Sequence, residues 1–246
     1  MHMKTSVFSK ALDTLDLDRG GSHRVLDFGC GSGGLLEALS AAVGPGSRLV
    51  GYDAMGKSIE LARARCPDAE FVCERFVNEL PFRDASFDVF VTIDALECIR
   101  DKEALLAEIH RVLRPGGQVL AMHWDWDTQT YSIPTRALAR KFVQAFSDWK
   151  QPWMDEADGQ MGRKLWGLFE GDGKFHGSPD AFCLIETEYE AGRYGYDRAQ
   201  DLSGLVEAGG LDRGDYDRFC RELSESSEKG EYFYSVTSFV YHGRRT

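Results

Sequence analysis

The chain has 246 residues, 43% of them hydrophobic, and sets 29 Lys and Arg against 40 Asp and Glu for a formal net charge of −11 at pH 7. That length and apolar content suit one large globular domain, and the acidic balance argues against a general binder of nucleic acid or of an anionic membrane. No apolar run approaches the ~20 residues that cross a bilayer.

Residues 1–20 lack a signal-peptide core, and the six cysteines (30, 66, 73, 98, 183, 220) contain no CxxC pair. The expected setting is therefore cytoplasmic, with reduced thiols and no zinc site or disulfide framework. RVLDF (24–28) predicts a strand running into glycines, and LLEALSAAV (35–43) a helix stopped by GPGS. RLVGYD (48–53) is the second strand, SIELARARC (58–66) the second helix and EFVCERF (70–76) the third strand. FDVFVTID (87–94) is nearly all apolar, KEALLAEIHRVL (102–113) is helical, RPGG (114–117) reads as a turn, and QVLAMHWDW (118–126) opens a fifth strand. Strands alternating with helices predict an α/β fold with a doubly wound, mostly parallel sheet. Ligands in such sheets sit beyond the carboxyl ends of the strands, which draws Asp27, Asp53, Phe76, Asp94 and the HWDW segment to one edge.

DFGCGSGG (27–34) satisfies G-x-G-x-x-G through Gly29, Gly31 and Gly34, and G-x-G-x-G through Gly29, Gly31 and Gly33. Asp53, at the end of the second strand, is placed to accept hydrogen bonds from ribose hydroxyls. These features fit either a dinucleotide or S-adenosylmethionine. Asp27 separates the two, because a carboxylate beside the loop repels a pyrophosphate and attracts an ammonium or sulfonium centre.

VLDFGCGSG (25–33), the Asp53 strand end, LPFRDASFDVF (80–90), ALECIRD (95–101) and LLAEIHRVLRPGG (105–117) together resemble the class I S-adenosylmethionine-dependent methyltransferases, in the small-molecule branch that includes the ubiquinone-type enzymes. The resemblance covers roughly residues 20–122, with an echo in EKGEYFYSVTSFVYHGRR (228–245) of the family's closing strand. It implies a Rossmann-like seven-stranded sheet and S-adenosyl-L-methionine as cofactor. It also implies roles: Gly29, Cys30 and Gly31 on the methionine and ribose side, Asp27 near the amino group, and Asp53 on the ribose. Ala54 and Met55 would lie against the adenine, with Asp94 and Ala95 lining the methionine side. Phe76 and Val77 stand where family members often carry Asp-Ala, so the adenine keeps ring packing from Phe76 and a backbone contact from Val77 but loses a side-chain hydrogen bond. Cys98 stands where a histidine is common.

All five tryptophans (124, 126, 149, 153, 166) fall within 124–166. RALARKFVQAFSDW (136–149) and MGRKLWGLF (161–169) read as amphipathic helices between the fifth strand and FCLIETEYE (182–190), expected as the sixth. By resemblance this insertion, residues 128–180 of a single domain 1–246, is a lid over the methyl-transfer site, and the short KTSVFSKALDTL (4–15) leaves most of the capping to it. Trp124, Trp126, Tyr131, Trp153, Met154, Arg163 and Trp166 are the expected substrate contacts, since aromatic faces suit flat rings and cations. Strand alternation sets Trp124 and Trp126 on one face and His123, Asp125 and Asp127 on the other.

His123 is the candidate base, and no cluster with metal-ligand spacing stands out. The expected activity is methyl transfer to a nitrogen or oxygen of a small aromatic or heterocyclic metabolite, nitrogen slightly favoured, with no nucleic-acid or membrane partner. A nicotinamide-dependent dehydrogenase explains the glycines and Asp53 but not Asp27 or the LPF and RVLRPGG segments. A non-catalytic binding protein that keeps the fold is the other alternative.

Overall fold

The computed structural model describes residues 10–18 and 21–246, so residues 4–9 of the N-terminal KTSVFSKALDTL segment lie outside it. Among the described residues seven strands form one sheet in the order β3-β2-β1-β4-β5-β7-β6. The strands are β1 (Arg24–Phe28), β2 (Arg48–Asp53), β3 (Glu70–Cys73), β4 (Phe87–Ile93), β5 (Leu113–Tyr131), β6 (Phe175–Glu186) and β7 (Tyr234–Arg245). The helices are α1 (Gly34–Ala42), α2 (Gly56–Arg65), α3 (Lys102–Val112), α4 (Arg136–Ser147), α5 (Met161–Glu170), α6 (Tyr194–Glu207) and α7 (Arg213–Glu228). Strands β1 to β5 pair in parallel, and β7 enters antiparallel between β5 and β6. The near-continuous apolar runs of β1 and β4 take central places because helices cover them on both sides.

Two cores flank the sheet. One joins Leu36 and Leu39 of α1, Phe142 of α4, Leu202 of α6 and Phe219 of α7 to Val25, Val89 and Trp124. The other joins Ile109 of α3 and Leu165 and Phe169 of α5 to Leu26, Phe90 and Tyr241. The two helices of the inserted segment thus lie on opposite faces of the sheet, and the chain between them crosses its ligand edge.

Several boundaries differ from expectation. The sixth strand is Phe175–Glu186 rather than 182–190. Its first half carries Gly177 and Pro179, which read as breakers but are tolerated because β6 is the edge strand. RPGG is looped out of the β4–β5 ladder, between the pairs Phe87–Leu113 and Val89–Gln118, within the span of β5. A second irregularity in β5 falls between the pairs Asp125–Thr237 and Thr130–Ser235. There Thr128 Oγ1 donates to Asp125 O at 2.6 Å and accepts from Thr237 N at 2.8 Å, so Thr128 fills a β-bulge. Helices α6 and α7 had no counterpart in the sequence reading.

Candidate cofactor and acceptor site

The glycine loop is shaped by its own backbone and by its neighbours. Gly29, Gly31 and Gly33 all have positive φ, which glycine adopts without steric cost. A Cβ on Gly29 would come within 2.4 Å of Ala95 Cβ. The N–H groups of Gly29 and Cys30 both donate to Tyr52 O, at 2.8 and 3.1 Å, tying the loop to β2. Asp53 completes the tie: Oδ2 accepts from Gly31 N at 2.9 Å and Oδ1 from Met55 N at 2.7 Å. Each oxygen retains a lone pair for an incoming hydroxyl.

Beside this loop opens a cleft of about 220 Å³, walled by Phe28, Gly29, Asp53, Met55, Phe76 and Ala95 among others. Asp94 lines its far end, and Trp153 and Asp155, from the crossing segment, cover it. Asp155 is held there by Arg75 at 2.6 Å and by its own N–H, which donates to Cys98 O at 3.2 Å.

Asp27 lies under the loop, 1% exposed, and its Oδ2 has no hydrogen-bond partner. Burial, and secondarily the Asp53 charge, push its carboxyl up to about 8. The residues present fit S-adenosylmethionine. The Asp53 carboxylate and the unpartnered Asp27 carboxyl beneath the loop offer a pyrophosphate no positive counter-charge, while Asp53 suits the ribose and the Phe76–Met55 wall suits the base.

The chain leaves β4 through Asp94, whose φ of 59° is in the left-handed region and whose N–H donates to Met122 O at 2.9 Å. The short 3₁₀ turn Leu96–Cys98 follows and carries Glu97, 7% exposed. Trp126 Nε1 donates to Glu97 Oε2 at 3.0 Å. His123, 0% exposed, sets Nδ1 2.8 Å from Trp124 O and 3.5 Å from Asp94 Oδ1, and Nε2 3.9 Å from Glu97 Oε2. Burial raises the Glu97 carboxyl to about 7, against the opposing pull of His123. One ligand atom from each of Asp94, Glu97 and His123 lies within 4.8 Å of the others. No regular spacing announces this cluster, because it joins a strand end, a turn and a neighbouring strand.

Gly29, Asp53, Ala54, Met55, Phe76, Asp94 and Ala95, all expected at the cofactor, line the cleft. Asp27, Cys30 and Gly31 are not among the residues lining it, and neither is the exposed Val77. Ser58, Glu74, Arg75, Ile99 and Asp155 line the cleft unforeseen. The alternation of β2 and β3 ends does not mark such loop residues, and Asp155 arrives from a distant segment.

The expected substrate residues scatter. Trp124, Trp126 and Tyr131 are buried, with Trp124 and Trp126 packed against Tyr194, ring centroids 5.3 and 6.4 Å away. Trp153 covers the cofactor cleft, and Met154 beside it is half-buried. Arg163 is not free to anchor a substrate: Nε and Nη2 clasp Asp125 Oδ2 and Oδ1, each at 2.5 Å, and Asp125 is fully buried. Trp166 is half exposed, beside Tyr241 on the α5 side of the sheet and away from the cleft. His123 does not open on the cleft as a solvent-facing base would; Asp94 is the cluster's member that does.

Residues 26–121 match the methyltransferase domain family. A 37.1 kDa protein from transposon Tn4556 of Streptomyces fradiae is 36% identical over 142 residues, covering 57% of this chain and 41% of that protein. Demethylmenaquinone methyltransferase of Staphylococcus aureus is 37% identical over 125 residues, covering 49% of this chain and 51% of that enzyme. The chain thus spans about half the length, or less, of these curated relatives. The crystal structure of YcgJ from Bacillus subtilis superposes with a TM-score of 0.63 at 18% identity, covering 99% of both chains, a likeness of fold. With the glycine loop, the Asp53 strand end and the β3-β2-β1-β4-β5-β7-β6 sheet already in place, these matches identify residues 26–121 as similar to the methyltransferase domain family and give the whole chain a likeness of fold to solved methyltransferase-type structures.

Proposed function

We propose that the protein transfers the methyl group of S-adenosylmethionine to a nitrogen or oxygen of a small, aromatic or heterocyclic acceptor bound beyond Asp94. The observation that carries this reading is a cleft running from the ribose-side Asp53 to Asp94, with the unpartnered Asp27 carboxyl beneath its glycine loop. When bound, the cofactor supplies an activated methyl and a good leaving group. The chain's own work is alignment and exclusion of water. Asp53 orients the ribose side, Trp153 and Asp155 shield the cleft, and the segment between β5 and β6 acts as the acceptor's cover.

Nitrogen is favoured over oxygen because Asp94 and Glu97 border the aromatic wall of Trp126 and Tyr194, a setting that attracts positive charge and N–H donors. The match to demethylmenaquinone methyltransferase supports a small acceptor. The net charge of −11 disfavours nucleic acid, and no helix among the described residues is long and apolar enough to cross a membrane. Six unbridged cysteines fit a cytoplasmic setting.

Calorimetric titration with S-adenosylmethionine, S-adenosylhomocysteine and NADH tests the cofactor, on the wild type and on Asp53→Ala. Micromolar binding of both adenosyl ligands is expected. In the variant it should weaken by at least roughly tenfold, since hydrogen bonds to a charged group contribute ~1.5–3 kcal/mol. A mass-spectrometric screen of aromatic amines and phenols then looks for a single added methyl. NADH binding without adenosyl binding would overturn the assignment in favour of a dehydrogenase.

A further inference from the structure

We propose that Asp94, Glu97 and His123 form a binding site for one divalent first-row transition-metal ion of the Mn²⁺, Fe²⁺ or Zn²⁺ class. Three facts converge on it. The three side chains offer ligand atoms within 4.8 Å of one another. Two of the buried polar atoms they contribute, His123 Nε2 and Asp94 Oδ1, have no hydrogen-bond partner, although buried polar groups are normally satisfied. The unpartnered imidazole nitrogen belongs to a side chain with no exposed surface and faces Glu97 Oε2 at 3.9 Å, beyond hydrogen-bond range.

The surroundings hold these groups as a ligand set is held. His123 Nδ1, placed 2.8 Å from Trp124 O, donates its proton to that carbonyl, which fixes the ring and leaves the Nε2 lone pair free. That is how metal-bound histidines are ordinarily oriented. Trp126 Nε1 donates to Glu97 Oε2 and fixes the carboxylate in the same way. Asp94 is set by its left-handed backbone and its bond to Met122 O.

An ion needs a way in, and Asp94 provides it. Its side chain is 34% exposed and lines the cofactor cleft, while Oδ1 points inward. Metal–ligand bonds of ~2.0–2.2 Å would draw the three groups together by roughly an ångström.

One imidazole nitrogen and two carboxylate oxygens exclude the soft ions that want thiolates, and the imidazole disfavours Mg²⁺ and Ca²⁺. Three protein ligands leave positions open towards the cleft, where a donor atom of a second ligand can complete the shell. The site does not depend on the methyl-transfer reading.

Titration of the full chain with Co²⁺, followed by its visible d–d absorption, tests the site, with Mn²⁺ paramagnetic resonance as a second probe. Saturation at one ion per chain is expected, without the thiolate-to-cobalt charge-transfer band that cysteine ligation produces. Asp94→Asn, Glu97→Gln and His123→Gln should each weaken binding by at least roughly tenfold to a hundredfold, the loss seen when even an outer-shell partner of a metal is removed. Cys98→Ser should leave it unchanged. Any of three results would overturn the proposal: no saturable binding to the wild type, a thiolate band, or unchanged affinity in the carboxylate variants, whose milder changes guard against a misfolded His123 variant. S-adenosylhomocysteine titrated in parallel separates the readings, because metal binding without adenosyl binding would sink the cofactor assignment and leave this site standing.

Discussion

Asp27 and Asp53 are two carboxylates serving one loop in different environments. Asp53 is partly exposed and held by two backbone N–H groups, whereas Asp27 is sealed beneath the glycines with its carboxyl raised to about 8. The raised value fixes the sign of a pH effect. Below about pH 4 the carboxyl is protonated in both folded and unfolded chains. Between about 4 and 8 the unfolded chain releases the proton while the folded chain keeps it, so rising pH favours unfolding. Thermal unfolding of the ligand-free protein should therefore show a midpoint that falls from pH 5 to pH 8, and Asp27→Asn should flatten that decline. A variant as steep as the wild type would show that Asp27 titrates normally. At this scale the sequence was legible where spacing is local: the loop glycines and Asp53 sit in one short run and at one strand end, and the fold ties them together at one edge of the sheet. The Asp125–Arg163 clasp and the Asp94–Glu97–His123 cluster were not legible, because their members come from separate elements that only the folded sheet brings together.

Helix α6 shows how an element leans on its neighbour. Its N-cap position is Arg193, which offers no side-chain cap. Glu186, at the end of β6 and 4% exposed, reaches over instead: Oε1 accepts from Tyr194 N at 3.0 Å and Oε2 from Gly195 N at 2.7 Å. A negative charge there also meets the positive end of the helix dipole. Glu186→Ala strands two buried N–H groups and should cost about 2–3 kcal/mol, at the upper end of the range for lost caps and hydrogen bonds to charge. Chemical denaturation checks this, and a cost under about 0.5 kcal/mol, the level of an ordinary surface change, would refute it. The same borrowing explains why α6 escaped the sequence reading: it lacks a capping residue of its own and contains Gly195 and Gly204. Helix α7 is different. Tyr216, Phe219 and Leu223 are its buried apolar positions at helical spacing, and Asp212 accepts from Asp215 N at its start, so its signal was present in the chain among many charges.

For the molecule as a whole, the alternation of strands and helices in the first half of the chain followed from periodicity, because central parallel strands are apolar throughout and their helices alternate with them, whereas the order of strands in the sheet is seen only in the fold. The placement of the inserted segment did not follow. Amphipathic spacing shows that α4 and α5 each bury one face but not which side of the sheet receives it, and the structure puts them on opposite sides. The chain that joins them carries Trp153 and Asp155 onto the cleft, so occupying the cleft should stabilise the molecule globally. S-adenosylhomocysteine at a hundredfold its dissociation constant contributes about 2.7 kcal/mol by mass action. For a domain of this size that is a rise of roughly 5–10 °C in the unfolding midpoint. Scanning calorimetry with and without the ligand reads it directly, and an unmoved midpoint would mean that the ligand does not bind the folded state.

The bulge in β5 sets a rule for the lengths this protein tolerates. Five steps along β5, from Asp125 to Thr130, answer two along β7, from Thr237 to Ser235. Residues directly opposite across strands share a face, so Asp125 and Thr130 look the same way although their separation is odd. Trp124 and Tyr131 accordingly reach the same core, one on each side of the bulge. Loss of the three extra residues between them would restore plain two-residue alternation across the ladder with both rings still on that core face. Descendants of this chain should therefore be able to shed those three residues while keeping both rings in the core.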